Sequence, residues 1–181
     1  MEKKVKLPDA VNARVEGKTL VLSGPLGELK RDFSKMPLVH FSVAEKEITI
    51  SASTEGKRGK AMLHTACAHV NNMVLGVTKG FRYVLDVFNV HFPIRVSIEG
   101  DNIKISNFIG GKADVFTKKY PDVKVELQKG GRQIFVEGMN LESVSQTAAR
   151  IEQSTKKQIR NKDRRVFRDG IYIVKRGVID E

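Results

Sequence analysis

Two stretches of the chain repeat one pattern of apolar and polar positions. Residues 11–27 read VNARVEGKTLVLSGPLG, residues 94–110 read IRVSIEGDNIKISNFIG, and an offset of 83 residues aligns them without a gap. Apolar residues coincide at five positions, and a Glu-Gly pair, a serine and a final glycine recur in both. Phe33 and Phe116 continue the match at the same offset. The agreement predicts an internal duplication, and two copies favour paired globular domains over a solenoid, which needs about three or more repeats.

Each copy predicts a small sheet. Alternation of apolar and polar residues up to Glu-Gly predicts a strand, the glycine fits a tight hairpin turn, and a second strand follows. Two further strands are predicted in each copy, and one strand is expected to close it. The further strands span 39–43 and 47–51 in the first copy and 123–127 and 133–137 in the second; the closing strands lie near 81–87 and 170–174.

A helical period follows the strands of each copy. Thr54 and Asn140 are the predicted N-caps, and Gly76 is the predicted end of the first helix. The predicted buried stripes are Leu63, Ala66, Cys67, Val70, Met73 and Val74 in the first helix and Val144, Ala148, Ile151 and Ile159 in the second. We therefore predict an α+β fold of two tandem homologous domains, each a small, mostly antiparallel sheet packed against one long helix. The predicted domains span residues 1–82 and 83–181.

The composition is that of a basic globular protein. Hydrophobic residues make up 40% of the chain and the formal charge is +11, which favours a nucleic-acid or other anionic partner. No apolar run approaches the roughly 18 residues of a membrane span, so no membrane partner is expected. The N-terminal MEKKVKLPD lacks the apolar core of a secretory signal. The single cysteine, Cys67, has no partner for an internal disulfide, and we therefore expect a reducing, cytoplasmic location.

Positive charge is concentrated at the end of the chain. The last 28 residues hold nine Lys and Arg against four Asp and Glu, whereas residues 91–153 hold nine against eight. Lys156, Lys157 and Arg160 suit the negative end of the second helix dipole, at about 0.3–1 kcal/mol each. The cations beyond them have no such role, and their mutual repulsion is relieved by a polyphosphate partner. The clustering therefore predicts nucleic-acid binding rather than a merely solvated tail.

RNA is the favoured nucleic acid. The sequence contains no helix-turn-helix, zinc-finger or basic-zipper pattern. Its strands carry Val, Ile and Leu rather than the aromatic pairs of sheet platforms that stack single-stranded bases. Arginine and lysine contacts to the phosphates of a folded RNA fit this composition better. An architectural DNA-binding protein remains an alternative.

Candidate catalytic and metal-binding residues are few. His64, Cys67 and His69 lie close together but lack a fourth ligand for a closed tetrahedral zinc site. Cys67 also falls on the apolar stripe, where a buried structural thiol is the simpler interpretation. We predict no enzyme and no cofactor.

A metal-dependent nuclease is the alternative from the enzyme class. Asp122 and Glu126 alternate on one predicted strand, but Gln128 stands where such a site needs a lysine. No converging cluster of acids accompanies them. Asp163 and Asp169, within the basic segment, are expected to hold and space the neighbouring arginines.

The basic segment is similar to a known family signature. Residues 160–172, RNKDRRVFRDGIY, resemble the C-terminal signature of the L-six family of large-subunit ribosomal proteins, and in particular its archaeal and eukaryotic branch, called L-nine in eukaryotes. Residues 107–112, NFIGGK, resemble a loop of that branch. The tandem duplication is typical of the whole family, and the resemblance covers nearly the full chain.

The resemblance implies a structural constituent of the large ribosomal subunit that supports translation. Its expected partners are 23S-type ribosomal RNA, bound chiefly through the second domain near the stalk base and factor-binding region, and neighbouring large-subunit proteins. The resemblance also implies a ribosome-associated, cytoplasmic protein. The RNA contacts expected from motif or charge are Asn107, Lys112, Lys156, Lys157, Arg160, Lys162, Arg164, Arg165, Arg168, Lys175 and Arg176. Phe167, Ile171 and Tyr172 are expected to pack the basic segment against the sheet.

Overall fold

The repeated Glu-Gly stretches form matching β-hairpins. Glu16 pairs with Thr19 in the first copy and Glu99 pairs with Asn102 in the second, so two residues form each turn. Gly17 and Gly100 adopt φ angles of 65° and 61°, which lie in the left-handed region that glycine enters at no steric cost. The hairpin prediction is confirmed in both copies.

A computed structural model describes residues 1–44, 46–159, 161, 163, 166 and 168–179. The chain divides into two compact units, Met1–Gly80 and Phe81–Glu181, called the first and second units below. The elements of the first unit are β1 (Glu2–Lys6), β2 (Asn12–Glu16), β3 (Thr19–Gly24), β4 (Gly27–Asp32), β5 (Val39–Ala44), β6 (Glu47–Ala52) and α1 (Lys57–Thr78). Those of the second unit are β7 (Phe81–Phe88), β8 (Arg95–Glu99), β9 (Asn102–Ser106), β10 (Val115–Lys118), β11 (Lys124–Gln128), β12 (Gln133–Gly138), α2 (Leu141–Gln158) and β13 (Gly170–Val178).

The strands of each unit form two antiparallel sheets. In the first unit the orders are β2-β3-β4 and β1-β6-β5, and in the second unit they are β8-β9-β10 and β11-β12-β7-β13. One long helix packs on the strands of each unit, α1 chiefly on β6 and β3 and α2 chiefly on β13 and β7. The predicted α+β fold with two repeats of sheet and helix is confirmed.

Both predicted helical stripes are buried. The side chains of α1 that face the core include Leu63 and Val70, and those of α2 include Val144 and Ile151; all four are fully buried. Burying one such side chain completely stabilises the fold by about 1.5–3 kcal/mol. Asn140 caps α2 as predicted, since its side-chain oxygen accepts a hydrogen bond of 3.0 Å from the backbone N–H of Glu142.

The predicted ends of α1 are wrong. The helix begins at Lys57 behind Gly56, whose backbone is extended, and Thr54 is not its cap. Residue 54 lies so close to the first turn that a Cβ on Gly59 would stand 2.1 Å from the Thr54 carbonyl oxygen. At the other end the helix continues past Gly76 to Thr78. In the part of the chain that the structure describes, neither helix is long and apolar enough to cross a membrane.

Strand β7 belongs to the second unit, and the prediction that it closes the first copy is wrong. It pairs with β12 on one side and β13 on the other. In the first unit β1 pairs with β6 in the same way, so β1 and β7 open their respective repeats. Within the described residues β13 has no counterpart in the first unit, and it adds a fourth strand beside β7.

The constant offset between the repeats ends at Ser106. Leu22 of β3 pairs with Leu29, with six residues between them, whereas Ile105 of β9 pairs with Val115, with nine residues between them. The second copy therefore contains three extra residues in its 106–114 loop. Phe116 consequently does not occupy the place of Phe33: Phe33 is 3% exposed and Phe116 is 59% exposed. The predicted match of these two phenylalanines is wrong.

Candidate nucleic-acid interface

Asp169 joins the end of the basic segment to another loop of the second unit. Its side chain is 1% exposed, directly before β13. One carboxylate oxygen accepts hydrogen bonds from the backbone N–H groups of Val90 and His91 at 2.9 Å and of Phe92 at 3.4 Å. The other accepts a bond of 2.6 Å from His91 Nδ1. Asp169 thus fixes residues 90–92 against the start of β13.

This role differs from the one expected from the sequence. Among the described residues, the donors to Asp169 that carry its linkage come from residues 90–92; Arg164 and Arg165 lie outside the described residues, so the expected contact with neighbouring arginines stays a prediction. His91, which the sequence left without a role, is the side-chain partner. The two are separated by 78 positions, so no local pattern could have indicated the pair.

Hydrogen bonds keep the Asp169 carboxylate charged although it is buried. Burial acts to raise its pKa, but the bonds from the His91 ring and from the backbone N–H groups of residues 90–92 outweigh it, so the pKa lies below the ordinary 3.8. Several N–H donors around one carboxylate stabilise the charged form in this way. The linkage between loop and strand is therefore strongest when Asp169 is ionised.

We expect acid to weaken the second unit through Asp169. Because the folded pKa is depressed below 3.8, the stabilisation is complete above that pH and is lost as the pH falls through the folded value. Asp169→Asn cannot titrate. The difference in free energy of unfolding between the unmodified protein and Asp169→Asn should therefore shrink below about pH 4. Urea denaturation between about pH 5 and pH 2 measures it, and a difference that stays constant over that range would contradict the assignment.

The 107–112 loop contacts the loop that Asp169 holds. Asn107 Nδ2 donates a hydrogen bond of 3.1 Å to the Pro93 carbonyl oxygen. Gly110 has a φ of 68°, and a Cβ there would stand 2.9 Å from the Phe92 ring, so a larger residue would strain the backbone and displace that ring. Residues 90–93, 107–111 and 168–170, called the loop cluster below, therefore form one connected surface.

The backbone of the 107–111 segment is strained and held in place by its packing. Asn107 and Ile109 have φ angles of 56° and 54°, and a left-handed β-branched residue costs about 1–3 kcal/mol. Phe108, between them, is buried in the core of the second unit. Such a segment keeps one shape before it meets a ligand, as recognition of a folded RNA by shape requires.

Several predicted contacts lie at or near the loop cluster. Arg168 belongs to the cluster, Lys112 directly follows its 107–111 segment, and both residues are exposed. The last turns of α2 pack against the start of β13, where Thr155 Oγ1 accepts a hydrogen bond of 3.2 Å from the Ile171 N–H. Lys156 is paired with Glu152 at 2.9 Å, whereas Lys157 is exposed. The structure thus brings Asn107 and Arg168 into one surface, with the end of α2 beside it.

Lys175 and Arg176 lie farther along β13. They pair with Val84 and Tyr83, whereas Gly170 pairs with Phe88 at the loop cluster. Lys175 lies five positions beyond Gly170 along the strand, which corresponds to about 16 Å. These two cations are exposed, but a phosphate bound at the loop cluster is beyond their direct reach.

The remaining predicted contacts, Arg160, Lys162, Arg164 and Arg165, lie outside the described residues, as does Phe167. Of the residues expected to pack the segment, Ile171 is fully buried. Tyr172 is half-buried and its ring centroid lies 5.7 Å from that of Phe88. The basic segment therefore ends in a buried anchor made of Asp169 and Ile171.

The alternative catalytic sites gain no support. Glu126, the second acid of the nuclease alternative, is paired with Lys124 at 2.5 Å. Cys67 is buried, and burial raises the pKa of its thiol, so it remains protonated and is a poor metal ligand. His64 and His69 instead lie beside Lys3 Nζ and Arg31 Nη2, at 3.1 and 3.3 Å. Among the described residues no group of three potential metal ligands occurs.

Comparison with known proteins finds the same duplication. The family model for ribosomal protein L6 matches residues 7–80 and 92–170. The large ribosomal subunit protein uL6 of Ignicoccus hospitalis is 44% identical over 179 residues, which cover 97% of this chain and 94% of the relative. The proteins of the same name from Aeropyrum pernix and Archaeoglobus fulgidus are each 40% identical; the matches cover 97% of this chain and 94% and 89% of the relatives.

Proposed function

Because the chain belongs to the ribosomal protein L6 family, we propose that it binds the 23S-type RNA of the large ribosomal subunit through its second unit. The proposed place is near the stalk base and factor-binding region, beside other large-subunit proteins of cytoplasmic ribosomes. The family resemblance inferred from the sequence is confirmed, and the chain is a ribosomal protein rather than an enzyme.

One observation carries the proposal: hydrogen bonds join the segments of the loop cluster, and the exposed cations Arg168 and Lys112 lie in and directly beside these segments. Asp169 ties the end of the basic segment to residues 90–92, and Asn107 ties the strained loop to Pro93. Phosphate contacts fix the position of a protein on a nucleic acid, whereas a protein surface of fixed shape distinguishes one folded RNA from another. A surface with both properties suits a folded RNA better than a uniform duplex.

We expect three cations of the basic segment to contribute directly to the salt dependence of binding. In the variant Arg160→Gln, Lys162→Gln, Arg165→Gln, RNA affinity should fall, and the slope of log K against log salt should flatten by roughly 2 units, since each phosphate contact contributes about 0.7–0.9. Filter binding of transcribed 23S-type RNA over a salt series measures both quantities. Duplex DNA as competitor tests the alternative of an architectural DNA-binding protein.

The matched control removes the same charge from the first unit. Lys6, Lys18 and Lys35 are exposed there, and their replacement by glutamine lowers the formal charge equally. The overall field of the protein then changes to the same degree in both variants. Equal losses in the two variants would show that net charge rather than this segment governs binding, and would remove the segment from the interface.

A further inference from the structure

An exposed phenylalanine lies on β10 where the first unit has a lysine. Phe116 pairs with Lys104 of β9, and the corresponding pair in the first unit is Lys30 with Val21. Single exposed apolar residues are common and need no explanation by themselves. Phe116 differs from such isolated residues because it lines a groove.

The groove lies between the edge strand β10 and the C-terminal half of α2. It has a volume of about 380 Å³ and is lined by Val115–Lys118 of the strand and by residues of α2 from Arg150 to Gln158. That volume falls within the range of about 300–1,000 Å³ that is typical of small-ligand pockets. The charged side chains that line it are Lys118, Arg150 and Lys157, and its lining includes no acid.

The three cations are available to a ligand. Lys118 and Lys157 are exposed and form no ion pair with any other residue that the structure describes. Arg150 is oriented by Tyr120: its Nη2 donates a hydrogen bond of 3.0 Å to the tyrosine hydroxyl, and its Cζ lies 4.4 Å from the ring centroid. An oriented guanidinium loses less freedom when it binds a phosphate.

The nearest acids are already neutralised. Asp114, just before β10, lies 3.1 Å from Lys104 Nζ. A hydrogen bond from Ser106 and the contact with Lys104 hold the pKa of Asp114 below its ordinary value. Glu152 of α2 pairs with Lys156 and also accepts a bond from the Ile173 N–H. The local excess of positive charge in the groove is therefore not cancelled by these neighbours.

We propose that this groove binds an unpaired nucleotide of the RNA, with its base stacked on the Phe116 ring and its flanking phosphates on Lys118, Arg150 and Lys157. An aromatic ring beside several cations is the usual platform for a single-stranded base. The inference rests on the proposed function and deepens it, because it adds to the loop cluster a second contact of different chemistry. The sequence showed no aromatic pair on one strand face, and the proposed stacking needs only the single exposed ring of Phe116.

The test compares three variants with the unmodified full chain on transcribed 23S-type RNA. Phe116→Ala should weaken binding about tenfold without changing the salt slope, because stacking involves no phosphate. Phe116→Tyr keeps a ring and should bind within about twofold of the unmodified protein. The double variant Lys118→Gln, Lys157→Gln should flatten the salt slope by roughly 1.5 units. Since Phe116 is exposed, its replacement should leave amide hydrogen exchange in β9 and β10 unchanged.

Chemical probing of the RNA identifies the nucleotide whose environment depends on Phe116. A base protected from dimethyl sulfate by the unmodified protein should regain reactivity with Phe116→Ala while the rest of the footprint remains. Equal affinity of Phe116→Ala and the unmodified protein, or a Phe116→Tyr variant as weak as alanine, would overturn the groove proposal alone. If the unmodified protein binds the RNA no better than duplex DNA, the proposed function itself fails.

Discussion

Alanine at position 169 is expected to lower the free energy of unfolding of the second unit by about 3 kcal/mol. The change leaves the backbone N–H groups of residues 90–92 and the His91 ring without their acceptor. Each buried donor left unpaired costs about 1–3 kcal/mol, although water can reach some of these groups because the loop around His91 is exposed. RNA affinity should also fall about tenfold, because the loosened loops must become ordered on binding.

Hydrogen exchange of individual amides is the suitable measurement for Asp169→Ala. A chain of two units need not unfold in one step, so a single melting temperature is not well defined. The amides of Val90, His91 and Phe92 should exchange faster than those of the central strand β7, since the loop opens before the sheet does. Uniform acceleration across both units would contradict a local role for Asp169.

Two further variants distinguish the loss of the Asp169 hydrogen bonds from the loss of its charge and from a change in the net charge of the second unit. Asp169→Asn keeps one acceptor oxygen but turns an amide NH₂ towards other donors, and we expect a loss of about 1–2 kcal/mol. Asp122→Ala removes the same charge from an exposed position of the second unit and should change the free energy of unfolding by less than about 0.5 kcal/mol. The expected loss of free energy of unfolding is largest for Asp169→Ala, smaller for Asp169→Asn and smallest for Asp122→Ala.

Local patterns predicted the elements well, because burial follows the periods of strand and helix. The stripe that includes Val144 and Ile151 gave the buried face of α2, and Asn140 gave its start. Strands with few apolar residues were missed. In β1 only Val5 is buried, and β4 alternates half-buried with exposed residues, so neither shows the apolar alternation on which the prediction depended.

Local patterns do not predict which distant segments of the chain pair with one another. The apolar residues of β7 identify a strand but do not say which repeat it joins, and its assignment to the second unit follows from pairing with β12 and β13. Likewise, the three extra residues after Ser106 change the offset between the repeats without disturbing the alternation on either side. The candidate site depends on both kinds of information, since residues 90–93 join the loop with the insertion to the described end of the basic segment.

Gly59→Ala is the second substitution with a large expected effect on the free energy of unfolding. The sign of that effect shows whether the first turn of α1 is tightly packed. In an open helix the change would stabilise by about 1 kcal/mol, because alanine is the better helix former. Here a Cβ would stand 2.1 Å from the Thr54 carbonyl oxygen and 2.7 Å from Thr54 Oγ1. The backbone of residue 54 or the first turn of α1 must move, and we expect a net loss of about 3 kcal/mol in the first unit.

Gly56→Ala is the control for Gly59→Ala, since a Cβ at Gly56 meets nothing within 4 Å, and it should cost less than about 1 kcal/mol. Urea denaturation followed by hydrogen exchange in α1 measures both variants.

The same pair of variants also tests which unit binds RNA. If the second unit carries the interface, Gly59→Ala should lose stability in α1 while its RNA affinity and salt slope match those of Gly56→Ala. A parallel loss of RNA affinity would contradict an interface confined to the second unit and would indicate that the first unit contributes to binding.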